Sequence, residues 1–92
     1  MYLEIVSPED TLFSGEVTSV TVPGVNGEFQ MLNNHTPIVS ILKEGHVKVD
    51  GTNIQLEKEV EAKFTKSDKG FWLAINSGTL ELKDNKLIIL AD

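Results

Sequence analysis

"HVKVDGTNIQLE", residues His46 to Glu57, places two alternating runs on either side of an Asp-Gly pair. In the first run Val47 and Val49 point one way, while His46, Lys48 and Asp50 point the other. In the second run Ile54 and Leu56 take the apolar positions. Alternation at period two over four to eight residues is the mark of a half-buried β-strand, because successive side chains leave opposite faces of the pleat. Asp50-Gly51 suits a hairpin turn, since glycine enters positive φ without steric penalty. The stretch therefore predicts two strands joined by a turn.

The pattern spreads outward in both directions. "YLEIV" (2–6) carries Leu3 and Ile5 on one face, and "VEAKF" (60–64) lines up Val60, Ala62 and Phe64. "VTSVTV" (17–22) alternates at Val20 and Val22, but Val17 is out of phase, which predicts a bulge near Thr18 or Ser19. "FWLAI" (71–75) and "LIIL" (87–90) are apolar on both faces and are expected to be central or doubly covered strands. Trp72, a lone tryptophan on an apolar strand, is expected in the core. "SDKG" (67–70) and Asp84-Asn85, the latter flanked by Lys83 and Lys86, supply further turns. "SPEDTLFSG" (7–15) has the serine, proline and acids of a helix start. Gly15 and the β-branched residues after it cut that run short, so a turn leading into a short strand is expected. Frequent turns between short strands are the rhythm of a sandwich or barrel. With no linker, repeat or amphipathic helix in between, residues 1–92 are expected to form a single all-β domain, a β-sandwich.

Composition narrows the function. The chain has 92 residues, 40% of them hydrophobic, no cysteine and a formal net charge of −6. A disulfide framework and a cysteine-based metal site are excluded. All the basic residues are lysines, and arginine, whose planar fork reads phosphate and guanine, is absent. Nucleic acid is therefore not an expected partner, and an anionic lipid surface would repel so acidic a chain. Met1 leads directly into a strand-like run with no basic and apolar leader, so no signal peptide is expected. No apolar run approaches the roughly 20 residues of a membrane-spanning helix, and no direct insertion is expected.

One stretch does not fit a plain strand. "VPGVNGEFQMLNNHTPIV" (22–39) packs glycines, asparagines, prolines, Glu28 and His35 between apolar residues. His35 is a candidate general base, yet there is no cysteine nucleophile and no serine in a nucleophile-elbow setting. Glu28 and His35, seven residues apart, match no known catalytic spacing, so no catalytic residue is assigned. His35 and His46, one in a loop and one on a strand, do not make a metal set with the scattered acids, and no metal is expected. "PGVNG" (23–27) lacks the lysine and following helix of a phosphate loop, so no cofactor is expected either. The glycines suit positive-φ turn positions, with Pro23 fixing φ beside one of them.

At this stretch the chain resembles the ε subunit family of F-type, proton-translocating ATP synthases, specifically its N-terminal β-sandwich domain. "LEIVSPEDTLFSGEV" is similar to the family's opening, and "NSGTLELKDNKLIILAD" to its closing hairpin. Between them, "VPGVNGEFQMLNNHTPIVSILKEGHVKV" resembles the family's most diagnostic run. Gln30 departs from it, standing where the family usually has glycine, and so does Thr79, where a second glycine is common. The resemblance implies a sandwich of about ten strands in two sheets, without the C-terminal helical hairpin that typical bacterial members carry. It implies a non-catalytic central-stalk (rotor) subunit without cofactor or metal, peripheral on the cytoplasmic face of an energy-coupling membrane. Its partners would be the γ subunit, the c-subunit ring and the rest of the catalytic sector. Asn26, Gly27, Glu28, Phe29 and His35 are then expected at the c-ring. Ser7, His35 and Ser40 are expected on the flank facing γ. Two other functions compete on the residues alone: a small ligand-binding β-sandwich, which needs an apolar pocket, and an enzyme using Glu28 with His35.

Overall fold

The computed structural model describes residues 1–92 and contains ten strands and one 3₁₀ turn, Glu61–Lys63. The strands are β1 (Tyr2–Val6), β2 (Thr11–Glu16), β3 (Ser19–Gly24), β4 (Gly27–Leu32) and β5 (Ile38–Leu42). They continue as β6 (Gly45–Asp50), β7 (Phe64–Lys66), β8 (Gly70–Ile75), β9 (Gly78–Lys83) and β10 (Lys86–Ala91). Hydrogen bonding links them in the order β2-β1-β10-β9-β5-β3-β6-β8-β7, with β4 paired to β3 alone. β1 and β10 run parallel and every other pair is antiparallel.

β3 is the pivot. Its Gly24 pairs with Leu42 of β5, whereas Ser19 to Thr21 pair with Asp50 to Lys48 of β6. One strand thus belongs to two leaves, and the sheet curls over on itself there. The first leaf is β2-β1-β10-β9-β5, and the second is β4-β3-β6-β8-β7. Between them lie the alternating residues the sequence marked: Leu3, Ile5, Val20, Val22, Val47, Val49, Leu73 and Leu80 are all buried. Phe13 of β2 meets Phe71 of β8 at 5.2 Å between ring centroids, and Phe64 stands edge-on to Phe71 at 4.7 Å. Tilted and edge-on rings suit the aromatic quadrupole, and this trio closes the seam between the outer strands of the two leaves. The all-β sandwich expected from the sequence is the fold observed.

Several local expectations hold. Ser7-Pro8 opens a turn, not a helix: the Asp10 carbonyl accepts from Ser7 N–H at 2.8 Å, and Asp10 N–H donates to Ser7 Oγ. Asp84 and Asn85 form a two-residue turn with φ of 52° and 61°, the left-handed pair that matches the twist of a hairpin. Ser67 N–H donates to the Gly70 carbonyl at 3.0 Å, closing the β7–β8 connection.

Others are corrected. Residues 53–57 are not a strand, and Asp50-Gly51 is not a hairpin turn. β6 already has β3 on one edge and β8 on the other, so no edge is left to receive a returning strand. Gly51 N–H is taken by the Lys69 carbonyl at 2.9 Å, and the chain leaves through Asn53 at φ 56°. Ile54 and Leu56 still turn toward the core, half-buried, from a loop. The "VEAKF" row breaks likewise: Val60 is buried, but the 3₁₀ turn swings Ala62 into solvent before β7 begins. Val17 does not mark a bulge inside a strand. It lies in the break between β2 and β3, its side chain buried and its N–H bonded to the Met1 carbonyl at 2.9 Å. The register slips instead between Ile5 and Val6, opposite β2. β8 and β10 are interior strands but are covered on one face only. Trp72 therefore lies on the outer face, 37% exposed, with Lys48 Nζ 4.6 Å above its ring.

Candidate functional site

The stretch 22–39 is mostly a β-hairpin. β3 and β4 pair from Ser19↔Leu32 to Gly24↔Gly27, and Val25 and Asn26 form the tip. Gly27 has φ +126°, where an L side chain is strained, and a Cβ on Gly24 would lie 2.8 Å from both the Gly27 carbonyl and the Phe29 ring. Two glycines are thus needed for two reasons, one conformational and one steric. Pro23 carries its carbonyl away from β4, accepting Lys43 N–H at 2.9 Å. The hairpin is thereby fastened to the start of the β5–β6 connection.

Asn26, Gly27 and Glu28 are exposed at or beside the tip, and Phe29 is half-buried against the core. Glu28 reaches across β3 to pair with Lys48 Nζ at 3.1 Å. Ser40, half-buried on β5, faces the same place. With Gly24 to Phe29 it lines a shallow hollow of about 310 Å³. Ser7 sits level with the tip by register, since Val6, Leu90, Thr79 and Ile41 lie in one row across the first leaf. It is nonetheless three strand spacings from β5, about 14 Å.

His35 is elsewhere. It follows β4, at the end of the hairpin away from the tip, in a loop tied to the β9–β10 turn by Asn34 N–H donating to Asn85 Oδ1 at 2.9 Å. Its own N–H donates to the Leu32 carbonyl at 3.3 Å, and its Nδ1 lies 2.7 Å from the Thr36 carbonyl, which fixes the proton on that nitrogen. Leu32 lies four residue steps along the strand from Glu28, about 13 Å at the rise of a strand. Glu28 and His35 are therefore not brought together, and the carboxylate–imidazole pair required by an enzymatic function is not assembled. The set expected at one surface, Asn26 to Phe29 with His35, divides into a tip group and His35 at the far end, while Ser40, expected on the other flank, lies beside the tip.

No three His, Asp or Glu side chains converge as a metal site would require. A larger hollow, about 670 Å³, lies under the 51–61 loop and is lined mainly by polar and charged residues, including Glu61, Lys66, Asp68 and Lys69. It contains none of the residues above. Sequence reasoning missed the outward face of β5, where Val39 and Ile41 are 76% and 62% exposed, Ile41 in a row with Leu90 of β10 across Thr79. The signal was available: "IVSIL" is apolar at both phases, and a strand covered on one side only must then show half of it to solvent.

Residues 1–92 match the family model described as ATP synthase, Delta/Epsilon chain, beta-sandwich domain. The chain belongs to that family. The ATP synthase epsilon chain of Campylobacter concisus (strain 13826) is 37% identical over 92 residues, covering 100% of this chain and 60% of the relative. That of Chlorobium limicola is 37% identical over 90 residues, covering 98% of this chain and 86% of the relative. The chain thus spans little more than half the length of some epsilon chains and most of others. Among solved structures, the fold is similar to a chain of the Tetrahymena thermophila mitochondrial ATP synthase central stalk and c-ring. The TM-score is 0.75 at 15% identity, covering 99% of this chain and 62% of that one. A chain of the Euglena gracilis mitochondrial ATP synthase, in an assembly of OSCP, F1 and c-ring, gives a TM-score of 0.72 at 18% identity, over 97% and 48% of the two chains. At those identities the likeness is one of fold. The family's sandwich is the architecture found here, with the tip of the β3–β4 hairpin exposed at one end.

Proposed function

We propose that the chain is a non-catalytic part of the central stalk of an F-type ATP synthase, joining γ to the c-ring. The family match from residue 1 to residue 92 carries this proposal. A coupling part must be stiff, and here the tip residues stand on a hairpin braced by two glycine constraints and by the bond from Lys43 to Pro23. The tip, Asn26 to Phe29, meets the polar loops of the c-ring. Ser7 and Ser40 face γ. His35, in the loop tied to the β9–β10 turn, lies away from the tip and is assigned to the flank facing γ alone. A polar surface suits such a joint, because non-obligate interfaces are not set apart by bulk hydrophobicity. The acidic balance favours cationic partner loops through electrostatic complementarity. The chain works peripherally, on the cytoplasmic face of the energy-coupling membrane, beside the catalytic sector, and needs no cofactor. No helix is long and apolar enough to cross a membrane.

The test is reconstitution. A bacterial synthase stripped of its epsilon chain is supplied with this one, and binding to γ and ATP-driven proton pumping are measured. Binding with restored pumping is the expected outcome. A folded chain that neither binds γ nor raises pumping contradicts the proposal.

A further inference from the structure

β4 leaves a strand edge open. The Pro23 carbonyl points to Lys43, on the side of β3 opposite β4. Pairs in an antiparallel ladder alternate between bonded and non-bonded, so Pro23↔Glu28 is non-bonded and so are Thr21↔Gln30 and Ser19↔Leu32. The N–H and C=O groups of Glu28, Gln30 and Leu32 consequently face away from β3, and no other strand borders them. Only the Leu32 carbonyl is engaged, by His35 N–H.

Open edges invite pairing with another chain unless they are guarded. The other two are. β7 is three residues long and ends in Lys66, while β2 slips register against β1 and has Phe13 tucked against Phe71. β4 is six residues long with no lysine, proline or register slip, and its one charge, Glu28, is paired with Lys48. Gln30, where the family resemblance leads one to expect glycine, gives this strand a β-compatible side chain at its midpoint.

We propose that β4 pairs antiparallel with β4 of a second copy of this chain, about a twofold axis through Gln30. The register is self-complementary. Gln30 exchanges both main-chain bonds with its symmetry mate, and Glu28 lies opposite Leu32 of the second copy, so no like charges meet. On the inner face Phe29 lies beside Met31 of the second copy, and the half-buried Phe29 and exposed Leu32 gain cover. One short strand pair is small against the roughly 1,000 Å² of a stable interface, so the dimer is weak and concentration-dependent. It occludes Glu28 and Phe29. The paired chain and a chain docked through its hairpin tip are then mutually exclusive states.

The experiment uses the chain alone and so does not depend on the rotor proposal. Sedimentation equilibrium across a wide concentration range is combined with hydrogen exchange at single amides. The expected result is reversible dimerisation, with exchange at Glu28, Gln30 and Leu32 slowing as concentration rises and exchange at Phe29 and Met31 unchanged. Gln30→Pro removes an outward N–H and no internal bond. Gln30→Lys places like charges across the axis and serves equally if the proline variant unfolds. Each weakens association by about tenfold or more. A chain that stays monomeric throughout, or a dimer unaffected by folded variants, overturns the proposal.

Discussion

Gly70 has no room for a side chain: a Cβ there would fall 1.8 Å from the Val49 carbonyl oxygen. Gly70→Ala must push β8 from β6, and by analogy with overpacked cores it is expected to cost roughly 1–3 kcal/mol. Glu28→Ala is the contrasting case, because both members of its pair with Lys48 are partly exposed and such pairs contribute ~1 kcal/mol or less. Thermal unfolding of the two variants should show a clear fall in midpoint for the first and little change for the second. Little of this was legible one residue at a time. Glu28 and Lys48 are distant in sequence and meet only because β3 holds β4 on one edge and β6 on the other. Trp72 was misplaced for a similar reason. "FWLAI" is apolar at both phases, and composition cannot say which phase faces in. Its neighbours decide: Phe71 and Leu73 join the core, and Trp72 is left with Lys48 and the His46 ring.

At the scale of elements, alternation located strands well wherever a free partner edge existed. The runs at 2–6, 46–50 and 71–75 all became strands at or close to those bounds. The run at 53–57 carried an equally clean pattern and became a loop. Period two reports which side chains are drawn to the core, and a loop anchored by Ile54 and Leu56 satisfies that as well as a strand does. The distinction lies in whether an edge is vacant, a property of the fold and not of the segment. It has an energetic consequence. Leu80, buried on β9 between β5 and β10, should lose roughly 2–5 kcal/mol on truncation to alanine. Leu56→Ala should lose distinctly less, because half of that side chain already faces solvent and the loop can settle into the space. Denaturant titration of both variants checks this, and equal midpoints would contradict it. β3 was legible as far as Val22, but β4 was not read as a strand, because Pro23 and the glycines beside it mask the alternation of Gln30, Met31 and Leu32. Glycine at the tip and proline facing away from β4 are the punctuation of a hairpin.

For the whole molecule, the fold class could be read from the rhythm of turns, and the family from three motif runs in order. The curl of one sheet into two leaves could not, since it depends on β3 changing partners partway along its length. That curl also determines where the proposed contact residues go. It carries Asn26 to Phe29 to one end of the molecule beside Ser40 and leaves His35 at the other, so substitutions at the two places should act independently. The hairpin tip is proposed to couple the stalk to the membrane ring. The most direct test is the ratio of protons pumped to ATP hydrolysed in a reconstituted synthase bearing Glu28→Lys. Charge reversal at a contact of this kind falls between a rim pair, at well under ~1 kcal/mol, and a buried pair, at ~2–5. Pumping should fall more than hydrolysis while the unfolding midpoint of the chain barely moves. A Glu28→Lys synthase that pumps with the unaltered ratio would contradict that coupling role.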